Sequence, residues 1–339
     1  MKIPLLKRLI VLPIFIPIVL LRGIELLGSS VRWFIGNSPR VLLYIVVATV
    51  ALKGLFLEGL PSAGLSNLPG VVTPRQESPK DLPEGPTMVV RIPEPVITAK
   101  AVLVKDVESG KTLLAHNSRE KHPPASTAKL MTALVALDLY ALEDTLSVPE
   151  FCTTIEGQRT GFQSEERYSV RDLIYSLLIG SSADAACTLS LGKVSYTEFV
   201  DQMNMKSAEL GLEDTRFTNP VGLDASNGDH LSTTEDLYDL ALHARSIPLI
   251  SEAVGLTSKT VVSSEGEEFQ VWNTNELLWS LPGTVGIKTG TTEAAGEVLI
   301  YEYSAAGKDI IIVVMGSEER FLDTRKILDW VLVSYSWDV

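Results

Sequence analysis

Cysteine and histidine are scarce in this chain, with two and four copies among 339 residues. His116, His122, His230 and His243 fall at no spacing that would bring two of them onto one metal ion, so zinc chemistry is not expected and each is assigned a structural or surface role. Cys152 and Cys187 would be able to pair outside a membrane. Cys187, however, sits among small apolar residues of a predicted helix, and a buried free thiol is the expectation. No glycine-rich phosphate loop occurs, and no cofactor is implied. Clustered Lys and Arg are also missing from the body of the chain. The net charge is −13, and the acidic excess lies beyond residue 60. Nucleic acid is therefore not an expected partner, because phosphate contacts need grouped basic side chains.

The basic residues gather at the amino end instead: Lys2, Lys7, Arg8, Arg22, Arg32, Arg40 and Lys53 face only Glu25 and Glu58. Between them run two apolar stretches. Residues 9–21 are broken by Pro13 and Pro17, leaving open a second span or an interfacial helix. Residues 41–57 are interrupted only by Lys53 and, at 1.5 Å per residue, cover about 26 Å, close to the hydrocarbon thickness of a bilayer. They are the expected transmembrane anchor. Six basic residues precede them, which predicts a cytoplasmic amino terminus and a cell-membrane protein whose remainder lies on the extracytoplasmic side. No small-x-small cleavage site follows, so the anchor is expected to be retained. Residues 58–96 carry eight prolines without helical or strand period and read as a semi-rigid linker.

A folded domain is expected over 97–339. Residues 99–107 and 111–115 flank Glu108-Ser109-Gly110 as a hairpin. Helices are predicted from about Ser126 and over 170–179, 183–191, 196–210 and 233–245, then strands over 285–291, 297–303 and 310–316 and a closing helix over 319–334. Strands at both ends with helices between them predict one sheet made by joining the ends, with a helical lobe inserted.

Pro123 and Pro124 forbid helix before Ser126, and an Ala/Leu-rich run follows it. Residues i and i+3 of a helix share a face, so Ser126 and Lys129 are within reach as nucleophile and base. Ser-x-x-Lys alone is weak: Ser118/Lys121 and Ser190/Lys193 match it too, without a helix start and buried face behind them. Lys288-Thr289-Gly290, the single Lys-Thr-Gly of the chain, lies in a predicted strand and offers a cation and a hydroxyl to an anion. Its glycine is expected to let a substrate backbone lie against the strand as an extra edge. Ser181, on a turn between helices, is placed to complete a proton relay.

Ser126-Thr127-Ala128-Lys129, the Ser181 element and Lys288-Thr289-Gly290, in this order, resemble the penicillin-recognising serine enzymes, and most of all the D-alanyl-D-alanine carboxypeptidases, the low-molecular-mass penicillin-binding proteins. Phe217-Thr218-Asn219-Pro220-Val221-Gly222-Leu223-Asp224 and Asn273-Thr274-Asn275-Glu276 match as well. The resemblance, over residues 98 to 334, implies an α/β (α+β) fold of the β-lactamase/DD-peptidase-like type: an antiparallel sheet flanked by helices plus a helical lobe, here preceded by the transmembrane anchor. It implies an acyl-enzyme on Ser126 with Lys129 as base, its pKa depressed by Lys288 and partial burial, and Ser181 relaying a proton to the leaving D-alanine. Lys288, Thr289, Gly290 and Thr291 would bind substrate, peptidoglycan stem peptides of the bacterial cell wall would be cleaved, and β-lactams would be covalent inhibitors. Endopeptidase and β-lactamase activities share the fold. One departure stands out: the family's middle element is Ser-x-Asn, whereas this chain has Ser181-Ser182-Ala183. Ser182 is the expected partial substitute, a binder without efficient turnover is the alternative, and Ala183→Asn is expected to quicken acylation.

Overall fold

The computed structural model describes residues 85–337. The expected anchor at 41–57 and most of the expected linker lie outside the described residues. Among the described residues no helix is long and apolar enough to cross a membrane.

Along the chain come β1 (Thr87–Met88), β2 (Ala101–Asp106), β3 (Thr112–His116) and a 3-10 turn (Ala125–Ala128) feeding α1 (Lys129–Leu139). Three short pieces follow: β4 (Thr145–Ser147), α2 (Glu150–Thr153) and β5 (Arg167–Ser169). The helical lobe continues with α3 (Val170–Ile179), α4 (Ala183–Leu191), α5 (Tyr196–Glu209), α6 (Thr234–Arg245) and α7 (Pro248–Gly255). The hairpin β6 (Ser258–Val262) and β7 (Glu268–Trp272) and the short α8 (Leu277–Ser280) precede β8 (Thr284–Thr292), β9 (Gly296–Ala305) and β10 (Lys308–Ser317). The described chain closes with α9 (Arg320–Ser334) and β11 (Tyr335–Ser336).

The ends of the domain do join. The main sheet has the order β3-β2-β10-β9-β8 with every neighbour antiparallel, and Val104 of β2 sits opposite Ile312 of β10. Side chains alternate across a strand, and both faces of this sheet are covered, which is why β10 is apolar at every central position. Ile311, Val313 and Met315 join the core shared with α1, α3 and α4. Ile310, Ile312 and Val314 join Leu299, Tyr301 and the α9 residues Ile327, Leu328 and Val331. Residues 85–96, the carboxyl end of the proline-rich stretch, run along α9: β1 pairs with β11, and the Trp330 indole donates to the Ile92 carbonyl at 3.3 Å.

The helices start where capping side chains allow. Ser169, Ser182, Ser195 and Thr233 each accept a hydrogen bond from a backbone N–H three residues on. Two expectations change. The helix expected from Ser126 begins at Lys129, with Ser126 held in the preceding 3-10 turn. The β6/β7 hairpin was not foreseen, because its strands bury little beyond Val261 and Val271 and carry almost no hydrophobic period.

Candidate active site

Ser126 is half-buried at the turn before α1, and Lys129 Nζ lies 2.8 Å from its Oγ. The i,i+3 pairing read from the sequence holds even though the turn is 3-10. The two decoys are not paired: Ser118 Oγ donates to Glu235 and Ser190 Oγ to the Cys187 carbonyl. Lys129 is buried from end to end, and its amine also donates to the Val221 carbonyl. Burial pulls its pKa down to about 7, against the opposing pull of the Asp184 carboxylate. Of the two causes expected from the sequence, burial is the one that lowers it, and Lys288 is not among the causes.

Val221 is aimed at Lys129 by a loop built around one amide. Asn219 Oδ1 accepts from the backbone N–H groups of Val221, Gly222 and Leu223 at 3.2, 2.7 and 2.9 Å. His230, whose pKa burial lowers to about 4, is neutral and accepts from the Thr218 N–H through Nδ1 at 3.0 Å. Gly222 lies at φ +86°, and a Cβ there would stand 2.1 Å from the Ala125 carbonyl oxygen. Only glycine lets this loop meet the nucleophile turn. Asn219 entered the sequence reading only within the stretch 217–224 that resembles the family, and His230 only as a structural or surface residue; neither was given this task.

Facing Ser126 is Ser181, in the left-handed region at φ +56° between α3 and α4. Lys288 of β8 donates to its Oγ at 3.0 Å and to the Thr289 carbonyl at 3.0 Å. Lys288 is buried, and its pKa is pushed well below the ordinary lysine range, first by burial and then by the charges of Lys129 and Arg320. Its contact with the cleft runs through Ser181 rather than through open space.

A cavity of about 140 Å³ lies between these groups, lined among others by Ser126, Lys129, Ser181, Thr289, Thr291 and Arg320. β8 is the edge strand of the sheet and supplies Thr289, Gly290, Thr291 and Thr292 to the wall. Gly290 has a further task that the sequence did not reveal. A Cβ there would fall 2.9 Å from both the Ser126 nitrogen and the Ala125 methyl, so what its bare backbone admits is the nucleophile turn itself. Arg320, from the start of α9, was also missed: its guanidinium donates to the Gly290 carbonyl at 3.2 Å and to the Thr291 hydroxyl. Thr274 meets Thr289, hydroxyl to hydroxyl, at 2.5 Å.

The opposite wall is a loop clamped onto the start of α4. The Ala183 N–H donates to the Gln158 carbonyl at 2.7 Å. The buried Asp184 carboxylate accepts from the N–H groups of Thr160, Gly161 and Phe162 at 3.1, 2.8 and 3.2 Å. At its root the loop is fastened by a disulfide between Cys152 of α2 and Cys187 of α4, with Cα atoms 5.5 Å apart. The expectation of a free thiol is therefore corrected: small apolar neighbours do bury Cys187, and the same burial brings Cys152 against it. Ala183 is fully buried beneath Gly157, whose Cβ, if present, would lie 3.4 Å from the Ala183 methyl. An asparagine at 183 would have to extend from a fully buried position against this loop, which the expected gain from Ala183→Asn did not take into account. Ser182 is no substitute either. Its hydroxyl is buried, donating to Asp184 and accepting from Thr160 Oγ1 and the Ala185 N–H.

A serine with a buried amine, a second serine on a second lysine, and a hydroxyl-rich edge strand thus meet around one cavity. Residues 88–319 match the family model described as D-alanyl-D-alanine carboxypeptidase, peptidase S11, and the chain belongs to that family. It is 36% identical over 247 residues to D-alanyl-D-alanine carboxypeptidase DacB2 of Mycobacterium tuberculosis, a match covering 70% of this chain and 84% of that protein. A D-alanyl-D-alanine endopeptidase of Escherichia coli is 29% identical over 250 residues, covering 70% and 78%. Among solved structures, a D-alanyl-D-alanine carboxypeptidase from M. tuberculosis superposes with a TM-score of 0.68 at 32% identity, covering 73% of this chain and 95% of that one. The Streptomyces K15 DD-transpeptidase superposes at 0.66 and 27% identity, covering 71% and 100%.

Proposed function

We propose that this enzyme is a membrane-anchored serine D-Ala-D-Ala carboxypeptidase that trims peptidoglycan stem peptides through an acyl-enzyme on Ser126. The observation that carries this reading is the 2.8 Å contact between Ser126 Oγ and a lysine whose pKa lies at about 7. Near neutral pH a good part of Lys129 is unprotonated. Its lone pair takes the Ser126 proton while its N–H stays on the Val221 carbonyl, and Oγ adds to the carbonyl carbon of the penultimate D-alanine. The backbone N–H groups of Ser126 and Thr291, brought together by the close approach at Gly290, stabilise the oxyanion. Ser181, hydrogen-bonded to Lys288, hands a proton to the departing amine of the terminal D-alanine, and water then releases the acyl group. Thr289, Thr291 and Arg320 hold the terminal carboxylate, with Gly290 keeping the strand edge open between them. Penicillins, which carry a strained amide and a carboxylate, would acylate Ser126 by the same route.

The test is labelling with a fluorescent penicillin and timing its release. Slow release from the natural protein with complete loss of labelling in a folded Ser126→Ala variant is the expected result; Ser118→Ala and Ser190→Ala should label normally. Fast release would instead define a β-lactamase, and no labelling a binder without turnover.

The amino-terminal basic residues and the apolar run at 41–57 support a cytoplasmic amino terminus and an extracytoplasmic catalytic domain on a proline-rich linker. Protease added outside intact spheroplasts should free the domain by cutting between residues 58 and 84. Cleavage only after permeabilisation would reverse this orientation.

A further inference from the structure

We propose that the side-chain amide of Gln158, presented from the clamped loop across the cleft from β8, grips the substrate peptide group just ahead of the scissile bond. This rests on the acyl-transfer reading above. Three observations carry it. Gln158 bears the only carboxamide among the residues lining the cavity. Its side chain makes no hydrogen bond within the described residues, so both its donor and its acceptor are free for a ligand. And its main chain is fixed: the Gln158 carbonyl takes the Ala183 N–H at 2.7 Å, while Thr160 and Gly161 just beyond are pinned to Asp184.

A peptide group pairs best with another amide, which can donate to its C=O and accept from its N–H together. The other polar groups around the cavity do not offer this pairing. Ser126, Lys129 and Ser181 hold one another or Lys288, and Thr289, Thr291 and Arg320 cluster at the β8 wall as donors suited to an anion. A peptide lying along the edge of β8 would present the peptide group preceding its penultimate residue toward the loop wall, where Gln158 stands. The inference also accounts for Ala183, because the loop that buries its methyl group is the one that delivers the amide.

The experiment compares acylation of natural protein, Gln158→Ala and Gln158→Met by two β-lactams that share a ring system. Benzylpenicillin carries a peptide-like acylamino group ahead of the ring, and 6-aminopenicillanic acid lacks it. Loss of one well-placed hydrogen-bonding partner should slow acylation by benzylpenicillin roughly 2- to 13-fold in both variants, with 6-aminopenicillanic acid unaffected. Gln158→Met keeps the length of the side chain, and equal melting temperatures exclude a loosened loop. Equal slowing toward both compounds, or none toward either, would overturn the assignment of Gln158 while leaving Ser126 as nucleophile. Failure of both compounds to acylate the natural protein would overturn the acyl-transfer reading and this one with it.

Discussion

The two walls of the cleft are built by opposite means. The β8 wall is the edge strand of an antiparallel sheet, paired along one side to β9 in unbroken register from Gly286 to Thr292 and anchored in the core by Ile287. The facing wall has no ladder. Its backbone N–H groups end on one buried carboxylate, Asp184, and its root is tied by Cys152–Cys187. Regular hydrogen bonding makes the first wall hard to deform and leaves it no slack where it meets Ser126. The second wall depends on a handful of contacts between residues 22 to 35 apart in sequence, so its stability hangs on few side chains.

Removing the disulfide should give the largest difference between the walls. Replacing both Cys152 and Cys187 by alanine frees a 35-residue loop, for which chain entropy gives a stability loss of about 3 to 4 kcal/mol. Urea unfolding measures it, and penicillin labelling should persist, at a reduced rate, wherever the variant is folded, since Ser126, Lys129 and Lys288 lie outside that loop while Ser181 lies within it. An unchanged unfolding midpoint would mean that Asp184 alone holds the loop wall.

A smaller but sharper effect is expected on the rigid wall. Gly290→Ala places a methyl 2.9 Å from the Ser126 nitrogen, and because the contact is with backbone the nucleophile must shift. Relieving the contact needs a shift of about 0.5 Å, and since a 1 Å misplacement costs about 100-fold, acylation should slow by roughly 10-fold. Single-turnover acylation at equal folded concentration reads this directly, and a rate within threefold of the natural protein would show that β8 can yield after all.

The gentlest probe leaves both walls intact. In the proposed reaction Lys129 acts as a base in its neutral form, and its pKa is depressed to about 7, so acylation should be level above that pH and fall about tenfold per unit below it. The sign follows from burial, which disfavours the ammonium form. A rate flat between pH 5 and 8 would remove Lys129 from the role of base.

Much of this was legible beforehand, and the reason differs by element. The core strands announce themselves because a strand covered on both faces must be apolar throughout. Ser126 and Lys129 were readable because a single turn of chain fixes their separation. Lys288 and Ser181 were marked by residue type and local placement and gained their weight through resemblance, and their meeting at 3.0 Å, 107 residues apart, is a matter of fold.

What the sequence determined by itself, then, is local: periodicity and the i,i+3 reach of a lysine, both set by backbone geometry within a few residues. Tertiary structure alone decided the pairing of Cys152 with Cys187, the service of Gly290 to the nucleophile, the arrival of Arg320 at Thr291 and the burial of Ala183 under Gly157. Each depends on which distant surfaces come to share a contact. That is a property of packing, and no stretch of chain encodes it alone, since the same cysteine, glycine or arginine would read identically beside any other neighbour.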